Sequence, residues 1–150
     1  MADWTIWRAV PGDAAALTTC INAAYAQYTG RISDLPPVSE NCAAEIAANL
    51  VWVVACPRAE RGPEIIGGLV LVDGKHALHL ANIAVDPDHR GDGIARALLD
   101  LAERQARDRG HTGLQLTTHA EMPENLSLYI HLGWRETGRQ GNKVFMTKAV

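Results

Sequence analysis

The sequence predicts a single α/β domain on a mixed (α+β) sheet of about seven strands with four helices, and three observations predict it. Its 150 residues match the usual size of one domain, so residues 1–150 are read as one unit that can bury roughly two thirds of its unfolded surface. Apolar patterns of strand and helix type alternate in the order strand, two helices, three strands, helix, strand, helix, two strands. Between the fourth strand and the best helix lies a glycine turn, Arg90-Gly91-Asp92-Gly93.

Trp4 to Val10 alternates large apolar with other residues and stops at Pro11-Gly12, a strand followed by a breaker. Asp13 is expected to cap a helix from Ala14 to about Gln27, with Leu17, Ile21, Ala24 and Tyr25 at helical spacing. Tyr28 to Pro37 breaks that pattern. A second short helix, capped by Ser39, would turn Ala43, Ile46, Ala47 and Leu50 inward. Val51–Cys56 and Glu64–Val72 are β-branched runs flanking the turn-rich segment 57–63 and predict a hairpin. His76 to Val85 is a fourth strand between Asp73-Gly74 and Asp86-Pro87.

Gly93 to Arg109 is the strongest helix, with Ile94, Leu98, Leu101, Ala102 and Gln105 on one face and Gly110 as its stop. Arg96, Asp100, Glu103, Arg104 and Arg107 read as a solvated, mutually paired face. Leu114–His119 is a fifth strand, Pro123–His131 a proline-opened helix, and Trp134–Val150 a last strand pair around Gly141-Asn142.

Composition narrows the function. Hydrophobic residues make up 47% and charged residues 21% of the chain, the balance of an ordinary globular protein. The formal charge of −3 and the scattered basic residues argue against nucleic acid, which needs clustered cations. Cys20, Cys42 and Cys56 fall in no metal-type or paired spacing, so neither a zinc site nor a disulfide framework is expected, and a reducing cytoplasm fits. No basic-then-apolar leader opens the chain and no apolar run approaches the roughly 18 residues that span a bilayer, so no membrane association is expected. His76, His79, His89 and His111 are read as surface or structural residues, and no metal requirement is expected.

The chemistry is expected at the glycine turn. A helix N-terminus carries unpaired N–H groups and about half a positive charge, so a glycine-lined entry can cradle an anion such as pyrophosphate. A P-loop is excluded because the turn holds no lysine. A dinucleotide fingerprint fails because Arg96 occupies its third glycine position and the next strand ends in His119. What remains, Arg90-x-x-Gly93-x-Ala95 after a strand ending Ala84-Val85, resembles the acyl-CoA signature of the GCN5-related N-acetyltransferase family. Asn125 through Trp134, NLSLYIHLGW, is similar to a later motif of that family, and the element order matches along essentially the whole chain.

That resemblance implies an acetyl-CoA N-acyltransferase fold and acetyl transfer from acetyl-CoA, a cosubstrate, to a primary amine of a small molecule. It implies pyrophosphate on the turn at Arg90, Gly91, Gly93, Ile94, Ala95 and Arg96, and the pantetheine arm along Ile83, Ala84 and Val85 like an added strand. It also implies that Tyr129 protonates the departing thiolate and that Asn125 contacts the arm. On spacing alone Tyr129 reads as a core aromatic and Asn125 as a polar first-turn residue, with Leu126 and Ile130 buried beside them.

Many relatives place a glutamate base on the fourth strand where this chain has Asn82, and an amide is no base. His119 or Glu121 could serve through a water; both also read as an ordinary strand-end histidine and loop carboxylate. Tyr25, Tyr28 and Arg31, with Asn82, are the acceptor-binding candidates, Arg31 offering a planar fork to an anionic group. Peptide and polyamine acceptors stay open, and so does a catalytically weak acyl-CoA sensor or partner module of the same fold. An edge at Val144, Phe145 and Met146 is a candidate for homodimer pairing.

Overall fold

A computed structural model describes residues 4–26, 41–58 and 62–150. The elements are β1 (Thr5–Arg8), α1 (Ala14–Tyr25), α2 (Cys42–Ala48), β2 (Leu50–Arg58), β3 (Gly62–Asp73), β4 (Leu78–Val85), α3 (Ile94–Asp108), β5 (Gly113–His119), α4 (Pro123–His131), β6 (Arg135–Gln140) and β7 (Lys143–Ala149). The strands form one sheet in the order β1-β2-β3-β4-β5-β7-β6. Among the described residues only β4 and β5 pair in parallel, because α3 carries the chain back across the sheet between them. Among the described residues the expected mixed sheet of seven strands with four helices is the one observed.

Each face of the sheet has its own core. Leu69, Leu71, Leu78 and Leu80 pack with Leu98 and Ala102 of α3 and with Leu114 and Met146. On the other face, Leu17 and Ile21 of α1 pack with Val51, Val53 and Val70. Here Gly68 is a packing requirement, since a Cβ would lie 2.4 Å from Leu17 Cδ1. The buried arc of α3 is wider than expected: Leu99 and Ala106 join it, while Gln105 is only half-buried. On its charged face, Glu103 turns to Lys148 Nζ at 3.1 Å and to Arg107 at 4.0 Å.

Several local expectations are corrected. Asp13 gives α1 no side-chain cap; sitting inside a 3-10 turn at Pro11–Asp13, its carboxylate points back to accept from the Val10 N–H at 3.0 Å and Trp7 Nε1 at 3.3 Å. In α2 the buried residue is Cys42, while Ala43 and Ala47 are exposed. Leu50 is no helix residue: it opens β2, because the β-branched run beginning at Val51 wins its backbone. Ser39 and Gln27 lie outside the described residues. β4 starts at Leu78, so His76 precedes it. β7 is interior, between β5 and β6, so its Val144 and Met146 are buried and the sheet edge on that side is the polar β6.

One irregularity decides what faces what. The β3–β4 register slips so that Val70 opposes Asn82 and Leu71 opposes Leu80, leaving Ala81 as the extra residue of a bulge. Leu78 and Leu80 lie in the α3 core, and beyond the bulge Ile83 and Val85 pack against that same core while Ala84 joins the α1 core. Strict alternation would have sent Asn82 the way of Leu80. The bulge turns it toward α1 instead.

Candidate active site

The parallel ladder between β4 and β5 runs from Leu78–Leu114 to Leu80–Leu116 and stops. The β5-facing backbone groups of residues 81–85 therefore lie outside it, although such groups call for partners. A cleft of about 880 Å³ opens at this divergence. Ile83, Val85, Arg90, Ala95, Asn125 and Tyr129 line it together with Tyr25, His79, Asn82, Thr117 and His119. The split in the sheet thus joins groups from both of its faces.

At one end the chain leaves β4 through an Asp86 turn, whose carboxylate accepts from the Asp88 N–H at 2.9 Å, and enters α3 through the two glycines. Gly91 and Gly93 have φ of 87° and 81°, and no atom lies within 4 Å of a Cβ built on either. Backbone conformation and open approach, rather than crowding, are what call for glycine there. Gly93 occupies the N-cap position of α3, so the first helical N–H groups face outward beside Arg90 and Ala95, both on the cleft wall. The Ile94 side chain is 1% exposed, which leaves only its N–H for a ligand. Arg96 is exposed and lines a separate depression with Asp100 and His131. A left-handed turn with open approach next to an unpaired strand edge fits the phosphates and amide arm of coenzyme A.

Tyr129 is buried on α4, its ring 5.8 Å from that of Trp134. Asn125, one turn earlier, directs Nδ2 to Met122 Sδ at 3.4 Å. Leu126, expected to be buried, is half-buried, and Ile130 is 58% exposed, because α4 packs through the Tyr129 face and leaves Ile130 on the solvent side. At the end of β5, His119 is buried and its Nδ1 accepts from the Glu121 N–H at 3.0 Å. That bond fixes the neutral ring as the Nε2–H tautomer. Glu121 itself is exposed and is not a wall residue.

Tyr25 donates its hydroxyl to Asn82 Oδ1 at 3.4 Å, and burial pushes the phenol pKa up. Asn82 is 7% exposed, and its Nδ2 has no hydrogen-bond partner among the described residues. His79 lies on the same wall, with burial pushing its pKa down. Tyr28 and Arg31 fall outside the described residues. The Cys20 thiol is pushed up to about 12, first by burial and then by Asp86, and is not a wall residue. Among the described residues no three His, Cys, Asp or Glu side chains cluster as metal ligands, and no helix is long and apolar enough to cross a membrane.

Wall residues that the sequence did not single out include Thr117, Met122, Glu124 and Lys143, and His79, read as surface or structural, lines the wall as well. No motif marks them; only the strand divergence brings them together.

The chain is similar to known acetyltransferases in sequence and in fold. N-acetyltransferase 8B of Rattus norvegicus is 36% identical over 87 residues, which are 54% of this chain and 39% of that protein. N-acetyltransferase 8B of Homo sapiens is 30% identical over 113 residues, 71% of this chain and 47% of that protein. The chain therefore spans less than half the length of either relative. Among solved structures, PaiA N-acetyltransferase from Thermoplasma acidophilum in complex with coenzyme A shares the fold, with a TM-score of 0.84 over 100% of both chains at 19% identity. The ribosomal-protein-S18-alanine N-acetyltransferase from Escherichia coli does so with a TM-score of 0.76 over 98% of this chain and 94% of that one, at 22% identity. A sequence model of the acetyltransferase (GNAT) family matches residues 18–134, a span that includes the diverging strands, the glycine turn and Tyr129, and the chain belongs to that family.

Proposed function

We propose that this protein transfers the acetyl group of acetyl-CoA to a primary amine of a small molecule by direct attack in a ternary complex. The observation that carries the reading is the end of the β4–β5 ladder at Leu80–Leu116, with Tyr129 on the wall of the cleft that opens there. The pantetheine arm adds to the exposed edge at Ile83, Ala84 and Val85. Phosphates lie on the turn from Arg90 through Gly91 and Gly93 to the N–H groups of Ile94, Ala95 and Arg96. A β4 N–H polarises the thioester carbonyl, the Tyr129 hydroxyl protonates the departing thiolate, and Asn125 steadies the arm.

The amine's own proton leaves through water. His119, on the cleft wall, or Glu121, whose N–H bonds to His119 Nδ1, receives that proton from the water. Tyr25 and Asn82, with Tyr28 and Arg31 of the segment after α1, bind the acceptor. No cysteine stands in either motif to carry the acyl group, so the kinetics are sequential rather than ping-pong.

Thiol release measured against a panel of amines tests this. Release that requires both acetyl-CoA and an amine is expected, and none with any amine would end the proposal. The second reading, an acyl-CoA sensor, draws on one observation: the buried residue beside the divergence is an amide, Asn82, and not a carboxylate. Thermal stabilisation by acetyl-CoA with no thiol release would favour it.

A further inference from the structure

We infer that Asn82 selects the acceptor: its Nδ2–H takes a carbonyl or carboxylate oxygen next to the reacting amine, so the substrate is of α-amino-acid type rather than an oligoamine. The inference rests on the acetyl-transfer reading and adds the substrate class to it. A buried polar donor is normally paired, and an exception calls for a cause. Among the described residues Asn82 is such an exception, 7% exposed with Nδ2 unpartnered. It lies on the cleft wall, turned toward α1 by the Ala81 bulge. Its orientation is set, because Oδ1 receives the Tyr25 hydroxyl at 3.4 Å and Nδ2 is the end left for a ligand. Acceptors for that end are oxygens, not ammonium groups.

Charge on the wall agrees. Among the described wall residues the one carboxylate is Glu124, in the first turn of α4, whereas Arg90 and Lys143 are cationic. Lys143 is the cross-strand neighbour of His119, beside the divergence where the amine must reach the thioester. An oligoamine would meet Lys143 with like charge and find no carboxylate beside Asn82. An α-amino acid would offer its oxygen to Asn82 and its negative charge to Lys143.

The test compares kcat/KM at saturating acetyl-CoA for L-leucine and L-phenylalanine, their amides, the matching decarboxylated amines and spermidine. The amides keep the oxygen and drop the charge, which separates the Asn82 contribution from that of Lys143. Acids and amides should exceed the decarboxylated amines and spermidine by at least about tenfold, since a site built to hydrogen-bond a substrate rejects the analogue lacking that group. Asn82→Ala should level this preference and Asn82→Asp should invert it toward spermidine, with acetyl-CoA affinity unchanged in both. Equal rates for decarboxylated amines in the unmodified protein, or a preference that survives Asn82→Ala, would overturn the inference and leave acetyl transfer standing. Absence of thiol release with every amine tried, although acetyl-CoA binds, would bring down the acetyl-transfer reading and this inference together.

Discussion

The Tyr25 hydroxyl donates to Asn82 Oδ1 across 3.4 Å, so the last residue of α1 is fastened to the bulged stretch of β4 at the cleft. The amide is held in one orientation, and a neutral phenol rather than a phenolate is the donor, since burial raises its pKa.

Tyr25→Phe should lower stability by about 0.5–1.5 kcal/mol, the usual net worth of a hydrogen bond, with the low end expected for a bond this long. Urea denaturation of the two proteins measures it. Identical midpoints at identical slopes would mean that the hydroxyl contributes nothing and that Asn82 is held by its strand alone.

Gly93→Ala should destabilise the protein by about 1–2 kcal/mol, because φ there is 81° and a Cβ in the left-handed region meets its own backbone. The surrounding space is open, so crowding adds nothing. Gly93→Asn should cost less, as Asn tolerates that conformation. Both should weaken acetyl-CoA binding, read by calorimetry. An alanine variant with unchanged melting temperature and affinity would show that the turn relaxes freely.

How much of this was legible beforehand differs by element. The period of α3 and the β-branched runs gave the elements and their order along the chain, because burial of one face leaves a regular imprint; the strand order within the sheet came from the pairing. The glycine turn was legible because positive φ leaves few residue choices. The bulge at Ala81 was not, since nothing in LHLANIAV distinguishes an extra residue from plain alternation; the slip is set by how β3 pairs with β4. Leu50 was assigned to a helix by spacing and went to a strand by pairing with Leu71. The wall residues Thr117 and Lys143 were invisible, and His79 was read as surface or structural, for a related reason: a site at a strand divergence is made by tertiary geometry, not by local pattern. Ile130 was expected inside because its spacing from Leu126 fits one face, yet α4 docks through Tyr129.

Acid should loosen the end of β3. Asp73 holds His111 Nε2 at 2.6 Å and Arg109 Nη1 at 3.3 Å, and the hydrogen bond from His111, with lesser help from both charges, lowers its carboxyl pKa below the ordinary 3.8. A carboxylate with a depressed native pKa stabilises the fold above its unfolded value, and that contribution is lost as pH falls through the native value. Asp73→Asn should therefore be less stable at neutral pH, with the difference shrinking below about pH 4. Denaturation curves from pH 7 to pH 2.5 check this; a constant difference across the range would remove Asp73 as its source.

Tyr129→Phe isolates the proposed acid. The ring sits 5.8 Å from Trp134 and is 6% exposed, and phenylalanine keeps that volume and aromatic contact, so the fold and acetyl-CoA affinity should be retained. Loss of a positioned proton donor typically lowers the rate by about 100-fold or more. Because a proton moves to the thiolate only as the bond breaks, kcat should fall while KM for both substrates stays close to its original value. Acceptors that leave chemistry rate-limiting are the ones to use, since slow product release would hide the loss. If kcat is unchanged under single-turnover conditions, the proton reaches the thiolate by another route and Tyr129 serves as packing against Trp134.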